Sequence, residues 1–181
     1  MNTGLGVGLS LLVILDLSAP ALGDPPSGRL LIQNAHSNLC LSPAGGNRSL
    51  NDPVVQFHCD NDLSRLWGVV AVSGDMVEVF NLNSALCLTV AGGNTLRNDP
   101  AVQFACDADP SRRWRIRSIV GQPLFQLVNV NSGLCLTVAG GSTDLNVEAV
   151  QFPCDGDPSR NWRFGGPPIP PPPSGGGAGV E

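Results

Sequence analysis

The chain has 181 residues, a formal net charge of −5, six Cys, two His, three Trp and no Tyr, and all ten of its basic residues are Arg. That acidic balance excludes a broad basic surface for nucleic-acid phosphates, and 42% hydrophobic residues exclude a chain disordered throughout. With 22 Gly and 16 Pro, turns and short strands are favoured over long helices, so a coiled coil and a multi-pass membrane protein are excluded too.

In chain order, the first feature is an apolar stretch from Leu5 to Leu17 that ends at Ala19-Pro20-Ala21, small residues at the spacing a signal peptidase accepts. It is too short to span a bilayer as a helix. Residues 1–23 are therefore read as a signal peptide and the protein as secreted, where an even number of Cys can pair. The folded part is expected over 24–166. Residues 167–181, Pro-rich and then Gly-rich, read as a linker or disordered tail, and a separate domain beyond such a linker is a candidate partner.

Between these ends one unit occurs three times, over about 28–73, 74–120 and 121–165. In the first copy Leu30 and Ile32 alternate along a predicted strand, and Leu39 and Leu41 flank Cys40 in a second. Val55 and Phe57 mark a third, and a fourth begins at Trp67. Asn34-Ala-His-Ser-Asn-Leu-Cys40-Leu-Ser-Pro-Ala-Gly-Gly46 returns around Cys87 and Cys135. Val-Gln-Phe-x-Cys-Asp-x-Asp-x-Ser-Arg-x-Trp follows in every copy and ends at Trp67, Trp114 and Trp162. The first Cys recurs at intervals of 47 and then 48 residues. Three four-stranded copies are too few for a propeller of usual blade number or a solenoid, so an all-β, pseudo-three-fold β-trefoil is the expected architecture. Six Cys permit fifteen pairings. The repeat selects Cys40–Cys59, Cys87–Cys106 and Cys135–Cys154, each closing an equivalent 19-residue separation.

With these residues in view, residues 28 to 165 resemble the ricin B-type lectins, also known as carbohydrate-binding module family 13. The triplication, the Leu-Cys-Leu strand, the cysteine spacing and the Trp closing each copy carry the resemblance. It implies a β-trefoil with one shallow sugar pocket per repeat, in a module often tethered to secreted glycosidases. The family's Asp two positions after the first Cys is replaced here by Ser42, Thr89 and Thr137. Its Gln two positions before the Trp is replaced by Arg65, Arg112 and Arg160. Each copy also carries Asp60, Asp107 or Asp155 directly after the second Cys, placed to pair with that Arg and rebuild a polar pocket; a surface ion pair that merely fastens the turn is the competing reading.

Two registers compete for the third strand, and a one-residue slip exchanges its faces. One puts Phe57 at the family's stacking position. The other puts Val55 and Phe57 in the core and Gln56, Gln103 and Gln151 on the pocket face, with a bulge before the cysteine. The second is favoured, because burying each Gln unpartnered would cost on the order of 1–3 kcal/mol; it leaves the pocket without an aromatic. The expected carbohydrate contacts are thus Ser42, Gln56, Asp60 and Arg65, then Thr89, Gln103, Asp107 and Arg112, then Thr137, Gln151, Asp155 and Arg160. Asn51, Asn98 and Asn146 read as turn formers, and the three Trp as core.

No catalytic residues, cofactor or metal are expected. The Asp-x-Asp carboxylates lie too close in one turn to flank a glycosidic bond, and they occur three times where catalysis needs one asymmetric site. Asp60-x-Asp62 lacks the rest of a calcium loop. His36 and His58 are not repeated. The sequence thus points to a secreted, non-catalytic module with up to three weak glycan sites. The alternative is a structural or protein-interaction β-trefoil that has lost sugar binding.

Overall fold

The computed structural model describes residues 28–166; the signal-peptide and linker expectations fall on residues outside this range. Among the described residues no helix is long and apolar enough to cross a membrane. The first repeat contributes strands β1 (Leu30–Asn34), β2 (Cys40–Pro43), β3 (Val54–Phe57) and β4 (Leu66–Ser73). The second contributes β5 (Met76–Asn81), β6 (Cys87–Val90), β7 (Ala101–Phe104) and β8 (Arg113–Ser118). The third contributes β9 (Phe125–Asn129), β10 (Cys135–Val138), β11 (Ala149–Phe152) and β12 (Trp162–Gly165).

The outer strands of each repeat pair antiparallel in a ring, β1–β4–β5–β8–β9–β12 and back to β1, so the barrel has no free edge. The inner pairs β2–β3, β6–β7 and β10–β11 form three hairpins. Isolated bridges Pro53–Val102, Pro100–Val150 and Val55–Glu148 link those hairpins into a triangular cap. This is the β-trefoil.

Alternation explains the core. Ile32, Val79 and Leu127 point inward from the barrel strands, and Leu41, Leu88 and Leu136 from the hairpins. Trp67, Trp114 and Trp162 are fully buried, and each indole N–H donates to the carbonyl of one of those leucines (Leu41, Leu88, Leu136) at 2.9–3.0 Å. Each Trp therefore ties its repeat's last strand to its own hairpin. Opposite each Trp in the ladder stands an Asn: Asn81, Asn129 and Asn34. Their amides donate to the carbonyls of Ser64, Ser111 and Ser159 respectively, each in an adjacent repeat of the ring, at 2.7–2.8 Å. The disulfides join Cys40 to Cys59, Cys87 to Cys106 and Cys135 to Cys154, as the repeat selected. In the chain-entropy picture each such loop contributes roughly 3 kcal/mol.

The favoured register of the third strand is reversed. The hairpin ladder pairs Cys40 with Phe57, Leu41 with Gln56 and Ser42 with Val55, without a bulge. Val54 and Gln56 face inward, and Val55 and Phe57 face the other way. The physical reason lies in another repeat. Gln56 is not left unpartnered, because a neighbouring loop supplies its hydrogen bonds.

Candidate functional site

The third hairpin, with the short turn before Trp162, forms one side of a surface cleft. In the third repeat this cleft encloses about 220 Å³ and is lined by Thr137, Val138, Gly140, Gly141, Val150, Phe152, Asp157, Ser159 and Arg160, with Asn98 reaching in from the second repeat. The Ala-Gly-Gly turn after β10 opens it, and Gly140 and Gly141 take φ of 62° and 63° there, a left-handed conformation that glycine adopts without strain.

The polar machinery is the same three times. Asp62, Asp109 and Asp157 cap the turn, each accepting from the backbone N–H and the hydroxyl of Ser64, Ser111 or Ser159 at 2.6–2.9 Å. Those two donors, the hydroxyl first, with the nearby Arg adding to them, hold the three carboxyls below the usual aspartate value of 3.8. Arg160 lies between Asp155 at 3.3 Å and Asp157 at 3.1 Å; Arg65 and Arg112 sit in the same way between their own pairs. Each guanidinium also covers an aromatic ring, with Arg65 over Phe57, Arg112 over Phe104 and Arg160 over Phe152, all 4.7 Å from the ring centre. The Arg160 side chain is only 10% exposed, whereas Asp155 and Asp157 are 51% and 50% exposed. The cation is buried and the anions face water.

The expected contacts separate into two groups. Asp60, Asp107 and Asp155 do pair with Arg65, Arg112 and Arg160. Ser42, Thr89 and Thr137 lie buried beside the turn serines; Thr89 and Thr137 share hydroxyl contacts of 3.0–3.1 Å with Ser111 and Ser159, and Ser42 reaches Ser64 at 3.4 Å. Gln56, Gln103 and Gln151 stand elsewhere, at 0% exposure and turned inward. Gln103 donates to the carbonyls of Asn47 and Ser49 in the first repeat and accepts from Ser84. Gln151 holds Asn94 and Leu96 of the second repeat, and Gln56 holds Ser142 and Asp144 of the third. Their main chains join the same loops, as in Asn98 N–H to the Gln151 carbonyl at 2.8 Å. The third cleft is thereby walled by a loop that the second repeat supplies.

Sequence reasoning missed Phe57, Phe104 and Phe152 as pocket residues, through the register error, and missed Asp62, Asp109 and Asp157 as partners of the Arg. The recurring Asp-x-Asp-x-Ser-Arg was the signal for the second set. Asn51, Asn98 and Asn146 are turn residues, with φ of 66°, 69° and 63°, and Asn98 in addition lines a cleft. His58 sits edge-on to Phe57, and the His36 N–H closes the turn after Asn34. Among the described residues no three His, Cys, Asp or Glu side chains are grouped as metal ligands.

Three like repeats closed into a β-trefoil, with a polar cleft on the third, define the class of fold. The chain belongs to the ricin-type beta-trefoil lectin domain family, whose model matches residues 29–162. Among solved structures it is similar to a designed three-fold symmetric protein, ThreeFoil (20% identity, TM-score 0.73, covering 75% of this chain and 96% of that one). It is also similar to the exo-beta-1,3-galactanase 1,3Gal43A from Clostridium thermocellum (21% identity, TM-score 0.74), covering 77% of this chain and 30% of that one. A ricin B-like lectin of Macrolepiota procera, solved with lactose, matches at 13% identity and TM-score 0.66, over 77% and 96% of the two chains. At such identities these neighbours speak for the fold alone. No curated protein matches the sequence.

Proposed function

We propose that the protein is a secreted, non-catalytic carbohydrate-binding module with up to three weak glycan sites, one per repeat. The observation that carries this reading is the third-repeat cleft, where half-exposed Asp157, Arg160 and Phe152 meet on the surface of a lectin-family fold, with the same Asp–Arg–Phe arrangement recurring in the other two repeats. Asp157 offers acceptor oxygens to sugar hydroxyls from the cleft wall, and Asp155 stands beside it on the same guanidinium. The same arrangement argues against catalysis. Asp157, whose carboxyl is held below the usual aspartate value by the Ser159 hydroxyl and N–H and by Arg160, is a poor proton donor near neutral pH. Three disulfides suit an extracellular location. Weak sites gain from being three on one body, through avidity on a polymeric glycan.

One observation favours the alternative, a structural or protein-interaction trefoil. The guanidinium lies over one face of each Phe ring, the surface on which a sugar would otherwise stack. Titration with a panel of neutral oligosaccharides, comparing wild type with Asp107→Ala and Arg112→Ala, separates the two. The lectin reading expects binding that weakens in both variants. Equal affinities in all three proteins remove the site, and no binding to any sugar leaves the alternative.

A further inference from the structure

We propose that the pockets select glycans by charge, taking sugars that carry a free amine ahead of neutral ones and rejecting uronic or sulfated sugars. This rests on the reading of the clefts as glycan sites and adds to it a ligand class. In the third pocket Asp155 and Asp157 face Arg160, two negative charges against one positive. The positive charge is the inaccessible one. The Arg160 side chain is nine-tenths buried, is flanked by both carboxylates, lies against Phe152 and donates through Nε to the Pro153 carbonyl. An acidic sugar would have to draw the guanidinium out of two ion pairs and off an aromatic face before meeting a cation. An ammonium group meets half-exposed carboxylates directly.

A neutral sugar has a foothold too, because the half-exposed carboxylates of Asp155 and Asp157 can accept from its hydroxyls. The first two pockets repeat this balance, with Asp60 and Asp62 around Arg65, and Asp107 and Asp109 around Arg112. The walls borrowed from neighbouring repeats do not reverse it. The loops packed against Gln103 and Gln151 each carry one Arg and one Asp, Arg48 with Asp52 and Arg97 with Asp99. The first pocket gains Asp144 and Glu148, which makes it the most acidic of the three. With −5 on the whole chain, nothing at longer range favours an anion.

The test is calorimetric titration of the intact chain, in mildly acidic low-salt buffer where a sugar amine is protonated. The probes are oligomers matched in stereochemistry, in both gluco and galacto configurations: the free amine, its N-acetyl form, the neutral sugar and the uronic acid. The expected order is amine, then the two uncharged forms, then acid, with steps of about two- to fivefold, as partly exposed charge pairs produce. The steps should collapse toward unity near 1 M salt, where the Debye length is about 3 Å. A variant with Asn at Asp60, Asp62, Asp107, Asp109, Asp155 and Asp157 keeps the turn caps, because Asn caps nearly as well as Asp, and it should prefer the acid. If that variant does not fold, the order and salt dependence of the wild type decide. Acid binding as tightly as neutral sugar overturns the charge selection while leaving the glycan reading standing. An amine preference that survives high salt overturns it as well. No binding by any probe overturns both.

Discussion

Two polar arrays run round the molecule with the same three-fold recurrence, and they have opposite jobs. Gln56, Gln103 and Gln151 are wholly buried, and each amide is saturated by carbonyls of a neighbouring loop and a hydroxyl of its own repeat. Arg65, Arg112 and Arg160 are buried only at the cation, and their Asp partners stand half in water. Recurrence in sequence therefore does not by itself mark a ligand contact. What separates a clasp from a site is whether the protein already satisfies the group. The Gln array has no capacity left for a ligand, whereas the Asp array has.

The comparison can be broken first at its strongest point. Gln103→Ala leaves the carbonyls of Asn47 and Ser49 and the Ser84 hydroxyl without their partner in a water-poor position, and should cost on the order of 3 kcal/mol in urea unfolding. Arg112→Ala removes two partly exposed ion pairs and one ring contact, and should cost about 1 kcal/mol in the same assay. Equal losses in the two variants would erase the distinction between clasp and site. A sharper test is transmission between repeats. Gln151→Ala should disturb the amide signal of Asn98 and the Phe152 ring in NMR spectra, because Gln151 fastens the loop that walls the third cleft, while the signals of Asn51 stay put.

The smallest expected effect is on acid stability. The carboxyls of Asp62, Asp109 and Asp157 titrate below 3.8 in the folded protein, so their stabilising contribution is complete above that value and is lost as pH falls through the lower folded-state value. Thermal melts should hold steady from neutral pH down to that range and then fall, and Asp109→Asn should flatten the fall slightly. A flat wild-type profile through that range would mean that the capping contacts are weak in solution.

Much of this molecule was legible in advance. Triplication at a period of 47 and then 48 residues, with period-two strands and equal cysteine spacings, determined the trefoil and the disulfide pairing. Both follow from local alternation and from the requirement that equivalent loops close alike. The pairing of Asp60, Asp107 and Asp155 with Arg65, Arg112 and Arg160 was legible too, because the two members of each pair sit within one short turn of their own copy. The orientation of Val-Gln-Phe was not. Alternation on its own favours two apolar side chains inward and the amide outward, and within one repeat nothing is available to satisfy a buried Gln. Only the assembled trefoil brings the loops at 47–52, 94–99 and 142–147 against Gln103, Gln151 and Gln56. Once those carbonyls are in reach the amide turns in, and Phe57, Phe104 and Phe152 turn out beneath Arg65, Arg112 and Arg160. Local pattern set the strands; contacts between residues some 50 to 90 positions apart set which face of them turns inward.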